Sequence, residues 1–448
     1  MRAGWPVATL PGPRRHLADI TADLDAGLSC LWLVPEELVS RGMADRLLGE
    51  LSDRSDSVVL PPPSGPPVAR TRVWSDAAES PSIPPPEWAT DKFGLFGRSA
   101  RSVDPVRLTP VESLTDRLVA LVDAPRTTAT DPLEALVARG MLGGRVLILR
   151  AWERGEESGD VGSLFTRLSA TAKAHGGPLA TRPRMLVAAR ERDLPAGLAD
   201  RLDPTTAQAH WWWGAVGRLD TAVVVTTYRP RAARRNHSGD LVERVAIEVL
   251  TEVAGPDLTL AEHLAVCWDG RITTLREQLD KLTYDLACPP VRRTTRRMAG
   301  FRPPAELRPG WEAGVVDLWD GRVRISPAAP THGEALNLDL LIWSGQNRAL
   351  MPVIDEHRAH LERVVRSRAS MAALAAVGDN GPDLNGETRA LELGVMAQLV
   401  HSRSVSLSRG DRNLLYELKR ARNRLAHLCA LTDQDLDALI EVLPNDSG

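Results

Sequence analysis

Five short runs of apolar and β-branched residues punctuate the first half of the chain: Ser29 to Val34, Ser57 to Leu60, Arg145 to Arg150, Arg184 to Ala189 and Thr221 to Thr226. Each has the length and composition of a buried strand. Between them, apolar positions recur at helical spacing over Arg14 to Ala26, Glu36 to Leu51, Leu108 to Val122 and Ser163 to His175. Strands that alternate with helices need crossover connections, so residues 1–230 are expected to form an α/β domain around a largely parallel sheet. Residues 61–103 interrupt the alternation with PPPSGPP, PSIPPPEW and FGLFG, a composition that favours extended, solvated chain over packing. A long Pro-rich loop is expected there.

Beyond residue 230 the pattern turns helical, over Asp240 to Val253 and Leu258 to Trp268, and an arginine-rich connector follows. Val315 to Ile325 then alternates around Asp320-Gly321, a dipeptide suited to a two-residue hairpin turn. Residues 231–332 therefore read as a helical and hairpin connector. After Pro330 the chain is helical almost throughout: Glu334 to Leu350, Val353 to Arg368, Glu387 to Ser402, Arg409 to Leu428 and Thr432 to Leu443. That spacing predicts an all-α bundle of four or five helices over 333–448.

Composition narrows the class. At 448 residues the chain is long enough for two or three cores, and its 43% hydrophobic and 25% charged residues are ordinary for a folded protein. A net charge of -3 gives no chain-wide field for nucleic acid or membrane, so such binding would be regional. The four cysteines, Cys30, Cys267, Cys288 and Cys429, form no CxxC pair and are expected to be reduced, mostly buried thiols. The amino terminus lacks the apolar core of a signal peptide and no window reads as a membrane span, so a cytoplasmic protein that engages no membrane is expected.

The run at 29–34 leads straight into a helix, the place where a phosphate-binding loop would supply glycine amides and a lysine. Here the chain reads Leu33-Val34-Pro35-Glu36-Glu37 instead. Only four lysines occur (Lys92, Lys173, Lys281, Lys419), and none sits in GxxxxGK[ST]. Two carboxylates at a helix amino terminus suit its dipole and repel a triphosphate. The run RVLILR ends in Ala151-Trp152-Glu153, where an ATPase would present acidic residues to magnesium, and Glu153 alone remains. In element order residues 1–230 resemble degenerate P-loop ATPases of the AAA+ and STAND type. That resemblance, with the phosphate loop gone, implies no nucleotide cofactor; an unrelated doubly wound sheet is the alternative.

Near the carboxyl end Arg422-Asn423-Arg424-Leu425-Ala426-His427 lies inside a strong helical pattern. It resembles the RNxxxH signature of HEPN domains, helical bundles that occur as metal-independent ribonucleases and as inactive interaction modules. By motif position Arg422, Asn423 and His427 would be the catalytic residues. An imidazole can move a proton at a ribose hydroxyl while a guanidinium holds the phosphate. Along a helix Asn423 and His427 lie about 40° apart, but Arg422 lies about 140° from His427. The resemblance implies completion of the site by a second protomer, hence a homodimer through the bundle. The alternatives are a silent HEPN-like bundle and a helix that merely ends in cations.

Two arginine clusters, Arg229, Arg231, Arg234, Arg235 and Arg292, Arg293, Arg296, Arg297, fall in connectors and could bind RNA, DNA or acidic protein surfaces. His357 and His360 share a helical face without a third ligand at metal spacing, and Trp211-Trp212-Trp213 reads as a packing plug. The two resemblances together imply a non-hydrolytic scaffold or sensor that binds other proteins of a bacterial conflict or antiphage defence system. A HEPN endoribonuclease and a nucleic-acid binder acting through the basic connectors are the other expectations.

Overall fold

A computed structural model of the chain describes residues 7–62, 113–122, 131–155, 158–230, 237–281, 300–327, 338–377 and 390–444. Most of the Pro-rich segment lies outside them. Five parallel strands, β1 (Ser29–Leu33), β2 (Ser57–Val59), β3 (Val146–Arg150), β4 (Arg184–Ala189) and β5 (Ala207–Trp211), form one sheet in the order β2-β3-β4-β1-β5. β1 is buried along its whole length, as a central parallel strand with both faces covered must be.

Helix α1 (Pro11–Asp25) precedes β1 and packs on it, while α2 (Glu36–Ser40) and α3 (Met43–Asp53) follow. The expected single helix over 36–51 is broken at Gly42, whose φ of 66° reverses the chain between the two. α4 (Leu114–Leu121), α5 (Pro132–Ala138) and α6 (Ser158–Ala174) pack together, with α6 against β4. The β1-to-β2 and β3-to-β4 crossovers run in opposite directions across the sheet, so right-handed connections put α3 and α6 on opposite faces. The α/β class expected for the first half is what the structure has.

One expected strand is a helix. Thr221 to Thr226 lies in α7 (Arg218–Tyr228), and the fifth strand is Ala207–Trp211 instead. Asp220 caps α7 through the Gly217 amide at 2.7 Å, and Thr226 and Thr227 bond back to the Ala222 and Val223 carbonyls at 2.7 Å. These local bonds, and the packing of α7 on α8 (His237–Ala254) and α9 (Leu258–Cys267), override the β-branched preference.

Further on lie α10 (Ile272–Asp280), the short α11 (Arg308–Glu312) and the hairpin β6 (Val316–Trp319) and β7 (Arg322–Ile325). Its turn is Asp320-Gly321, with φ of 50° and 72°, the left-handed pair that such a dipeptide permits. The carboxyl-terminal segment comprises α12 (Leu338–Arg368), α13 (Met371–Ala376), α14 (Leu393–His401), α15 (Arg409–Ala426) and α16 (Asp433–Val442). The two helices expected on either side of Pro352 are one continuous helix of 31 residues.

α12 lies along α8 at backbone contact: a Cβ on Gly345 would sit 2.5 Å from the Val249 Cα. Buried Glu252 of α8 clamps this joint. It accepts Arg324 of β7 and Arg348 of α12, each at 3.0 Å, and Arg218 of α7. Arg218 and Arg324 also stack on Trp319, 5.7 and 4.8 Å from its ring. Glu252→Ala leaves clustered guanidiniums without their shared carboxylate, so the variant should lose about 3–5 kcal/mol of stability, read from its urea midpoint.

Candidate functional site

The carboxyl edge of β1 is where an open α/β sheet of this kind binds its ligand. In this chain it is closed from two sides. Val34 bonds to the Ala189 carbonyl at 2.9 Å, and Pro35, which has no amide hydrogen, is the N-cap residue of α2 and joins it directly to the strand end. Glu36 takes Arg190, the residue following β4, at 2.8 Å, and pairs with Arg192 as well. Arg190 in turn grips Asp193 in a bidentate pair, both contacts at 2.8 Å. At the end of β3, Arg150 engages Glu153 at 3.4 Å and Asp45 at 3.1 Å, so the remaining acidic group of the expected magnesium position is also committed internally.

The second closure is apolar. The Trp212 amide bonds to the Leu33 carbonyl at 2.8 Å, and Trp311 of α11 donates its indole N–H to the Trp212 carbonyl at 2.7 Å. Trp311 is 1% exposed and meets Trp211 at 5.1 Å between ring centroids. Arg308 stacks on the Trp211 ring at 4.8 Å and is held by Glu191 and Asp200. The space left at the β1 edge is about 50 Å³, bounded by Pro35, Glu37, Trp212, Asp257, Trp311 and Asp317. A small-molecule site needs several hundred Å³.

Three carboxyls crowd that small cavity. Asp317 accepts the Gly214 and Leu318 amides at 2.9 and 2.7 Å, and burial pushes it up to about 7. Asp257 accepts the Leu260 amide and the Ser326 hydroxyl, each at 2.9 Å, and burial raises it too. Glu37 is raised by burial and by the charge of Asp257, against the opposing pull of Arg41 at 3.2 Å.

Two larger clefts lie elsewhere. One of about 780 Å³ lies between α6 and residues 198–207, with Phe165, Ser169, Lys173, Leu202 and Asp203 in its walls. The other, about 760 Å³, lies between α1, β5 and the segment before α7. In its wall His210 of β5 contacts Asp23 of α1 at 2.9 Å, and His16 accepts the Trp32 indole N–H at 3.0 Å. Burial, with His210 close by, depresses His16 to about 3, and burial lowers His210 despite Asp23, so both imidazoles are neutral near pH 7. Sequence reading missed this cluster because His210 sits on the strand it did not recognise.

The RNxxxH residues fall at the end of α15. Asn423 and His427 are exposed, with His427 as the C-cap residue. Arg422 points away to Glu392 at 3.5 Å, and Arg420 and Arg424 both pair with Asp435, at 2.8 and 3.4 Å. The helix end is anchored from below, where Trp343 donates to the Leu425 carbonyl at 2.7 Å and buried Gln346 bonds both the amide and the carbonyl of Leu431. Arg229 faces inward, with Glu243 at 2.9 Å and the Trp268 ring at 5.6 Å. Arg231, Arg234, Arg235, Arg292, Arg293, Arg296 and Arg297 lie outside the described residues. Of the cysteines, Cys30 is buried as expected, whereas Cys267 and Cys429 are exposed, and Cys288 lies outside the described residues.

Fold and site together define an α/β protein with a five-stranded parallel sheet, a plugged carboxyl edge and a helical carboxyl-terminal segment. No described helix is long and apolar enough to cross a membrane. No protein-family model, no curated protein and no solved structure matches the chain.

The carboxyl cluster gives a pH dependence of known sign. Glu37, Asp257 and Asp317 all bind protons more tightly folded than unfolded. The folded state therefore holds protons that the unfolded chain has released above about pH 4, and stability falls as pH rises from there to about 7. Asp317→Asn keeps an acceptor for both amides without the charge. Its thermal midpoint should fall less between pH 5 and 8 and exceed that of the parent at pH 8, by about 1–2 kcal/mol in stability.

Proposed function

We propose that the chain is a non-hydrolytic partner-binding protein, a scaffold or sensor within a bacterial multi-protein conflict or antiphage defence system, built on a P-loop-like sheet that no longer takes nucleotide. The observation that carries the non-hydrolytic part is the 50 Å³ of space at the β1 edge, behind Trp212 and Trp311. Glu36 is paired with Arg190 where a triphosphate would need free amides and an ammonium group. The sheet order supports the ATPase kinship, because β4 lies between β1 and β3 as in the AAA+ and STAND class. The defence setting rests on that resemblance and on RNxxxH in the same chain. Calorimetric titration of the full chain with ATP or GTP and magnesium should give no heat of binding; a micromolar dissociation constant overturns the proposal.

A second reading has its own support. Asn423 and His427 stand exposed about one turn apart at the end of α15, and among the described residues Arg422 pairs with the exposed carboxylate of Glu392. A HEPN ribonuclease would use these groups across a dimer. If it does, the protein cleaves RNA in the presence of chelator, and His427→Ala abolishes cleavage with an unchanged unfolding midpoint. Equal cleavage by parent and variant removes this reading.

A further inference from the structure

We propose that Asp23, Cys30 and His210 form a binding site for a divalent metal ion of the zinc class, with its fourth side open to the cleft between α1 and β5. A carboxylate oxygen of Asp23, the Cys30 sulfur and a ring nitrogen of His210 all lie within 4.8 Å of one another. A tetrahedral ion with ligands at about 2.0–2.3 Å spaces them by about 3.3–3.8 Å, so the ion replaces the Asp23–His210 contact of 2.9 Å, which opens slightly, while the sulfur moves in by about 1 Å.

The placement follows from the fold. Trp32 pairs with His210 across β1 and β5, so His210, Trp32 and Cys30, two residues before Trp32, share the sheet face that α1 covers. The Trp32 bond to His16 fixes α1 over that face, and Asp23, seven residues on from His16, lies on the same helical stripe. All three ligands therefore come from elements with regular backbone and not from loops.

The donor chemistry selects the ion. Magnesium and calcium favour all-oxygen shells, whereas one carboxylate, one thiolate and one imidazole suit zinc or its spectroscopic substitute cobalt(II). Binding converts the Cys30 thiol to thiolate and releases its proton to solvent. Asp23 and His210 both line the 760 Å³ cleft and Cys30 lies fully buried, outside its lining, so an ion would enter from the cleft side and keep its fourth position toward it. Three protein ligands with one open side is the pattern of a site that binds a water or a small ligand, in contrast to a closed structural centre. His16 is not a ligand, because its Nε2 is occupied by the Trp32 N–H, and its Nδ1–H remains as a donor in the cleft wall.

Full-length protein stripped with chelator and titrated with cobalt(II) tests the site. The expected result is one equivalent bound, with visible bands of tetrahedral cobalt and a near-ultraviolet thiolate charge-transfer band, and competition by zinc. Asp23→Asn, Cys30→Ser and His210→Ala should each weaken binding at least about tenfold. Unfolding of each variant without metal checks that it is folded, and Asp23→Asn, near-isosteric on a partly exposed side chain, serves if the other two fail. Absence of a stoichiometric complex overturns the site. So does a charge-transfer band that persists in Cys30→Ser, which would assign the thiolate to another cysteine. The outcome is independent of the nucleotide titration, since these residues lie outside the β1 carboxyl edge.

Discussion

A single carboxylate, Glu252, holds the two halves of this protein in register. Charges removed from water cost several kcal/mol each unless they are paired and hydrogen-bonded. Glu252, with 5% of its surface exposed, meets that condition by collecting Arg218, Arg324 and Arg348 from three different elements. Arg324 also bonds the Glu252 backbone carbonyl at 2.6 Å, so the hairpin is tied to the α8 main chain as well as to a side chain. Such geometry is directional where apolar packing is not. Where α12 meets α8, Gly345 lets the two backbones touch.

The same joint determines what the sheet can do. With β7 anchored to α8, the hairpin brings Asp317 to the Gly214 amide and α11 brings Trp311 to the end of β1. The plug at the carboxyl edge and the Glu252 joint thus share one hairpin, β6 carrying Asp317 and β7 carrying Arg324. Opening the edge would require moving α11 and the hairpin, which strains the bonds to Glu252. The raised carboxyls work against that lock, since each loss of a proton adds charge to a small cavity.

Much of this was legible in the chain, and the exceptions have physical causes. β1, β3 and β4 are short apolar runs because both faces of a central parallel strand are buried, and such runs stand out against helices, while the edge strand β2 is only half-buried and shows through its β-branched Val58 and Val59. β5 is an edge strand of sequence AQAHW with burial only at its two ends, so it lacks that signature, and its last residue is the first of the three tryptophans. TAVVVT has strand composition, yet its threonines satisfy themselves within a helix and its valines face α8 and α9. At Pro352 the helix continues because the surrounding packing of α12 outweighs one lost hydrogen bond. Asp23 and His210 are 187 positions apart and meet only through the sheet order, which no spacing rule exposes.

The RNxxxH element shows how a sharp motif and its setting differ. Arginines crowd α15, but Arg420 and Arg424 are spent on Asp435, which itself caps α16 through Thr432. The local positive field is therefore smaller than the sequence suggests. Arg422 is the exception: its partner Glu392 is exposed and 3.5 Å away, a class of contact worth at most about 1 kcal/mol. A phosphate, which binds guanidinium more strongly than a distant carboxylate does, would displace Glu392 at little cost. Because Arg422 lies on a different side of α15 from His427, phosphate held there would lie off the imidazole of the same helix. Within one copy, Arg422 and His427 are therefore separate groups rather than one assembled constellation.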